Sequence, residues 1–254
     1  MQTIAGTARF VSDLHLRAER PDLTRRFAVF LADTAAANVE VLYILGDLFE
    51  YWIGDDDLPD PFNEEVCNLL RSARDMGPRL CFIAGNRDFL IGADFAAAAG
   101  IELLPESVIV GAGGTATLLM HGDTVCTDDL PYQEFRRMVR GHEWQAAFLA
   151  RPLPERRAEV ESLRRRSAEA MQGKTAAIMD ANPAAIRAAL AANGCSRLIH
   201  GHTHRPSHEV FELGSGNAER WVLSDWDTDR GDALEIGPAG VRRLDLSAMT
   251  DERR

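Results

Sequence analysis

Apolar positions along the chain keep two rhythms. Residues 8–11, 39–46 and 80–84 are short, nearly continuous apolar runs, the second reading VEVLYILG. Such runs read as strands buried on both faces. Between them, residues 21–38 place Phe27, Phe30 and Leu31 at i, i+3 and i+4, with Arg25 and Arg26 on another side. Residues 61–76 are closed by Gly77-Pro78. Both stretches read as helices. Strand–helix alternation of this kind predicts βαβ units and a largely parallel sheet.

The rhythm changes in the second half. Residues 108–110 and 115–120 flank GAGG, which reads as a hairpin. Residues 131–174 carry no clear strand, only helix-prone sequence broken by Gly141, Pro152 and Pro154. A helix begins near Pro183, a strand covers 197–199, and short runs at 209–213, 221–223 and 233–236 read as a closing β-meander. The expected architecture is α/β (α+β): two packed mixed sheets with helices outside. No repeat or low-complexity linker divides the chain, so residues 1–254 are expected to form a single domain.

Composition adds limits. A chain of 254 residues with 46% apolar and 26% charged positions can bury a sizeable core. The net charge of −11 disfavours nonspecific binding to nucleic acid. Cys67, Cys81, Cys126 and Cys195 show no CxxC spacing and are expected as reduced, buried thiols of a cytosolic protein. The N-terminus lacks the pattern of a secretory signal, and no apolar run approaches the ~18–20 residues of a spanning helix.

Charge is unevenly spread. Residues 132–174 hold ten Arg/Lys against six Glu, while the rest of the chain holds 18 basic and 33 acidic residues, a charge of −15. A helical hairpin with solvated basic faces is the plain reading. The functional one is a basic cap over an acidic body, aimed at an anionic substrate or lipid headgroups. Trp144, Phe148 and Leu149 form an apolar stripe at i, i+4 and i+5, for which core packing is the favoured use.

Candidate chemistry lies at the strand ends. In order these supply Asp13-x-His15, Gly46-Asp47, Gly85-Asn86-Arg87-Asp88, His121-Gly122-Asp123 and Gly201-His202-Thr203-His204. Ligands lie off such edges in open α/β sheets, and Asp, His and Asn offer O and N donors suited to divalent first-row metals. A period-2 pair such as Asp13/His15 or His202/His204 points to one side of an extended segment. Asp47, leaving a central strand, is the candidate to touch two ions. Two ions about 3.5–4 Å apart would polarise a phosphoryl group and lower the pKa of a bridging water. Arg87 offers a forked donor to developing phosphate charge. Each motif alone is an ordinary turn, and only their joint order is specific.

That order resembles the calcineurin-like metallophosphoesterase family. FVSDLHL, ILGDLFEYWIGDD, GNRDFL, MHGDTVCTDD and LIHGHTHRP narrow the resemblance to its UDP-2,3-diacylglucosamine pyrophosphohydrolase branch, over residues 10–226. The resemblance implies a four-layer αββα metallophosphoesterase sandwich with residues 131–175 as an inserted helical cap. It implies hydrolysis of UDP-2,3-diacylglucosamine at the α-phosphate, giving UMP and 2,3-diacylglucosamine 1-phosphate in the lipid A pathway. It further implies two Mn²⁺ per chain, and a peripheral position on the cytoplasmic side of the bacterial inner membrane; a monomer is expected. By motif, Asp13, His15, Asp47 and His204 would hold one Mn²⁺, and Asp47, Asn86, His121 and His202 the other. Asn86 and Arg87 would serve catalysis. Asn86, Arg87, Asp129, Ser167, Lys174 and His202 would bind substrate. Between Ser167 and Lys174 the family pattern has an Asn where this chain has Met171, so one polar contact is missing or replaced. His200 and His208 fall outside the motifs and are taken as structural, and His142, beside Gly141, is read as a loop or cap residue.

Two rivals remain. Another metallophosphoesterase would act on a different nucleotide diphosphate or a cyclic phosphodiester, and only the insertion could separate it. A non-catalytic metal-binding scaffold should have lost ligands, yet all seven positions are present.

Overall fold

The computed structural model describes residues 2–172, 178 and 180–249, leaving the side chains of 167–172 outside the description. Twelve strands form two six-stranded mixed sheets among the described residues. The first sheet is built on β2 (Ala8–Val11), β3 (Val41–Ile44), β4 (Arg79–Ile83) and β5 (Glu102–Leu104), all parallel. The antiparallel pair β11 (Asp232–Gly237) and β12 (Gly240–Asp245) extends it beyond β2. The second sheet runs β1 (Gln2–Thr3), β6 (Ser107–Ala112), β7 (Thr115–Met120), β8 (Arg197–His200), β10 (Gly216–Val222) and β9 (Ser207–Leu213), with β7 and β8 parallel.

Alternation along the strands makes the layers. Val41, Tyr43 and Leu45 enter the core between the sheets, where they meet Leu119 and Ile199 of the second sheet. Leu42 and Ile44 face the other way, into a core with Phe27 and Phe30 of α1 (Pro21–Ala36), Val66 and Leu70 of α2 (Pro61–Asp75) and Phe95 of α3 (Ala93–Ala99). Leu118 and Leu198 pack against Ile186 and Leu190 of α7 (Pro183–Asn193) on the far side. The order is therefore helices, sheet, sheet, helix, as expected, and the VLYI strand is buried on both faces.

Three helices separate β7 from α7 in sequence: α4 (Leu130–Val139), α5 (His142–Leu149) and α6 (Leu153–Gln172). Gly141 caps α5, and α6 begins between Pro152 and Pro154. No helix among the described residues is long and apolar enough to cross a membrane.

The closing strands differ from the expected meander. β9–β10 and β11–β12 are separate hairpins in different sheets, because β10 pairs parallel with β8 while β11 pairs with β2. The missed elements β1, β5 and α3 are short, and β12 (GVRRLD) hides its apolar alternation behind two arginines that ion-pair with β11.

Candidate metal and phosphate site

Parallel pairing brings the junctions together. β2, β3 and β4 are adjacent and parallel, so Asp13, Asp47 and Asn86 leave the sheet at one edge. β7 and β8 do the same with His121 and His202 in the facing sheet. Pairing continues past the strands: Asp13 N donates to Gly46 O at 3.1 Å and His15 N to Asp47 O at 3.0 Å.

The chain leaves each edge by a left-handed step. Asp13, His15, Asp47, His202 and His204 have φ between 49° and 65°, and they are five of the six non-glycine residues with positive φ among those described. The period-2 pairs therefore do not sit on extended segments. They converge because each member is itself turned into the left-handed region, a conformation Asp and His tolerate better than most residues. Each such step costs roughly 1–3 kcal/mol, and clustering of that strain marks a functional site.

Two groups of donor atoms result. His15 Nε2 lies 3.3 Å from His204 Nε2, which lies 3.3 Å from Asp13 Oδ1. Asn86 Oδ1 lies 2.9 Å from His121 Nε2 and 2.8 Å from His202 Nδ1. Asp47 stands between them, Oδ2 4.0 Å from His15 Nε2 and Oδ1 3.7 Å from His121 Nε2. Donor atoms this close together could share one divalent cation.

Glycines let these groups close up. A Cβ on Gly85 would fall on the Asp47 carboxylate, and one on Gly201 on Asp13 and Ser12. The motif glycines are there for close approach.

The electrostatics call for cations. Burial, against the pull of His121 and with the like charges of Asp88 and Asp13, pushes the Asp47 carboxyl up to about 7. His121 is buried too, but Asp47, Asp13 and Asp123 raise it to about 9. Burial would raise Asp13, yet His204, His121 and His15 hold it below the usual range. Burial drives His15 down to about 3 and His202 to about 4, leaving neutral rings. Asp13 Oδ1 is buried without a hydrogen-bond partner among the described residues. Clustered buried carboxylates, neutral imidazoles and an orphaned oxygen fit divalent metal binding.

Residues without an expected role hold the site in place. Asp88 is fully buried and accepts the backbone N–H groups of Gly85, Leu48 and Asp47 at 2.8, 2.7 and 3.3 Å. Asp123 takes the Tyr132 hydroxyl at 3.2 Å and Arg136 Nε at 2.6 Å, registering α4 on the His121 loop. The Gly-Asn-Arg-Asp and His-Gly-Asp motifs displayed both carboxylates, but accepting from backbone N–H groups (Asp88) or from a neighbouring helix (Asp123) leaves no distinguishing mark in sequence. The acidic run Asp55–Asp57 also acquires duties: Asp55 accepts the N–H groups of Gly92, Asp94 and Phe95 at 3.0 Å, while Asp56 and Asp57 pair with Arg156 and Arg157 of α6. His200 is structural, its Nε2 accepting from Arg220 Nε at 2.9 Å. His208 stacks on Trp221, and His142 opens α5.

A cavity of about 380 Å³ adjoins the donor groups. Its lining joins Asn86 and Arg87 to Tyr132, Phe135 and Arg136 of α4, Trp144 and Phe148 of α5, and Leu163 and Arg164 of α6. Trp144 and Phe148 stack at 4.8 Å, and as expected both pack in the core, Phe148 buried in it and Trp144 against it; they also line the cavity, while Leu149 is exposed. Arg87 Nε is buried with no partner among the described residues. Asp129 is not in the lining; its carboxylate accepts the Tyr132 N–H at 3.2 Å and caps α4. Lys174 and the side chains of Ser167 and Met171 lie outside the described residues.

Residues 8–206 match the calcineurin-like phosphoesterase family. The chain is 48% identical over 223 residues to a UDP-2,3-diacylglucosamine hydrolase of Aromatoleum aromaticum, covering 88% of this chain and 90% of that protein. A UDP-2,3-diacylglucosamine hydrolase of Chromohalobacter salexigens is 48% identical over 238 residues, 94% of this chain and 96% of its own. Among solved structures, the E. coli phosphoesterase Yfce aligns over 96% of this chain and 95% of its own at 12% identity, with a TM-score of 0.49.

Proposed function

Because the chain belongs to the calcineurin-like phosphoesterase family, we propose that it hydrolyses the pyrophosphate bond of UDP-2,3-diacylglucosamine in lipid A biosynthesis. Water attacks the α-phosphate, and the products are UMP and 2,3-diacylglucosamine 1-phosphate. The observation that carries this reading is the cavity, whose lining runs from Asn86 and Arg87 to the aromatic side chains of α4 and α5. An anionic diphosphate and two acyl chains need those two environments side by side. Acyl burial at ~0.8 kcal/mol per CH₂ would hold the lipid.

In this proposal residues 131–175 are a cap on a single domain. Asp13, His15, Asp47 and His204 would hold one Mn²⁺, and Asp47, Asn86, His121 and His202 would hold the other. When bound, such a pair supplies charge stabilisation to the phosphoryl group and a water of lowered pKa. The chain supplies the rest. The Arg87 guanidinium, whose buried Nε has no partner among the described residues, donates to phosphate oxygens. The His121 Nδ1–H donates to Leu45 O at 2.8 Å, which fixes the ring with Nε2 toward the site. Asn86, His202, Ser167 and Lys174 contact substrate. Asp129 contacts substrate as well, from the end of α4 that it caps. The enzyme works as a monomer at the cytoplasmic surface of the inner membrane, where its lipid substrate resides.

The test offers purified protein with Mn²⁺ both UDP-2,3-diacylglucosamine and bis-p-nitrophenyl phosphate. UMP release from the first is expected; turnover of the second with no UMP from the first would sink the assignment.

A further inference from the structure

Each histidine proposed to hold a cation needs its other ring nitrogen anchored, since that contact sets tautomer and ring angle. His121 has Leu45 O at 2.8 Å, and His204 Nδ1 lies 3.5 Å from Asp225. The His15 Nδ1 is buried and has no hydrogen-bond partner among the described residues. The carboxylate facing it is Glu50, with Oε2 at 3.7 Å, about 0.7 Å longer than a hydrogen bond.

Glu50 is itself built in from both sides. It is buried, and it closes the apolar run that follows Asp47. Arg17 Nη1 donates to Oε2 at 2.9 Å. Arg164 Nη2 of α6 lies 2.8 Å from Oε1, with its guanidinium over the Tyr51 ring. Glu50 and Arg164 both line the cavity. One carboxylate thus stands between a histidine of the donor cluster and the helix that walls the cavity.

We propose that Glu50 is a positioning residue: it holds His15 in the Nδ1–H form with Nε2 toward one cation, and it ties α6 to that half of the site. The inference rests on the two-cation reading above. Loss of the negative charge in Glu50→Gln leaves Arg17 and Arg164 unopposed beside the imidazole and weakens the acceptor for Nδ1–H. The cation shared by Asp13, His15 and His204 should then bind about 10–100-fold more weakly, the usual consequence of losing such a partner. The cation at Asn86, His121 and His202 should keep its affinity.

The experiment is Mn²⁺ titration of metal-stripped wild type, Glu50→Gln and Glu50→Asp, read calorimetrically, with bound metal counted after desalting. Two binding steps in wild type, with one selectively weakened in Glu50→Gln and partly restored in Glu50→Asp, is the expected result. Should Glu50→Gln fail to fold, selective weakening of one step in Glu50→Asp supports the proposal and two unaltered steps overturn it. Identical titrations in all three proteins, or equal weakening of both steps, also overturn it. A wild type that binds fewer than two ions instead defeats the two-cation reading.

Discussion

The Asp88 carboxylate accepts the backbone N–H of Leu48 at 2.7 Å, joining the loop after β4 to the loop after β3. The same carboxylate holds Gly85 N and Asp47 N, so one buried group sets the relative height of Asp47 and Asn86. Asp88→Ala leaves these buried donors unpaired, and each costs about 1–3 kcal/mol. The variant should lose about 3 kcal/mol or more in urea unfolding. A loss under about 1 kcal/mol would show that the loops hold their form without it.

Asp47 directs one oxygen toward each donor group. Asp47→Asn should therefore weaken both binding steps in a Mn²⁺ titration, whereas His15→Ala should weaken chiefly one. Both variants should lose more than the roughly 10–100-fold typical of a partner behind a ligand. If Asp47→Asn altered a single step, its carboxylate would belong to one ion only.

Arg156 of α6 is buried and donates to Asp56 Oδ1 at 2.9 Å and to Ile53 O, fastening the helix to the body of the protein. Arg156→Met keeps the buried stem and removes those bonds. The expected result is a raised KM for UDP-2,3-diacylglucosamine with little change for bis-p-nitrophenyl phosphate, and about 1–3 kcal/mol lost from stability. Equal losses on both substrates would separate α6 from lipid binding.

Burial pushes the Cys81 and Cys126 thiols up to about 12, helped by Glu102 and Asp123 respectively. The native state holds these protons more tightly than the unfolded chain, whose thiols titrate near 9. Their contribution to stability is constant below pH 9 and is lost as pH rises from there toward 12. At pH 8 the native protein should resist Ellman's reagent, and four thiols should react once it is unfolded. Rapid native labelling at Cys81 would contradict its burial.

The layered architecture was legible because hydrophobic burial is periodic. Val41-Leu42-Tyr43-Ile44 reads as a strand covered on both faces, and Phe27, Phe30 and Leu31 as the inner stripe of a helix, and both are found so. The metal and phosphate candidates were legible because ligand chemistry restricts residue type: Asp, His, Asn and Arg recur at strand ends in one order. β12 and the two separate closing hairpins were not, since partner choice between strands depends on register that local pattern does not carry.

By itself, then, the sequence determined the buried strands, the helices over them and the residue types at each strand end. Only the tertiary structure decided how those residues meet. Left-handed backbone at Asp13, His15, Asp47, His202 and His204 turns the side chains inward, and such a conformation survives only where surrounding bonds compensate for it. The sequence motifs display Asp88 and Asp123 without assigning them a role, and Glu50 reads as an ordinary acidic residue. Their roles come from partners up to 114 positions away, Arg164 being the one that reaches Glu50, and no local pattern specifies a contact that closes only when two sheets and a helix pack together.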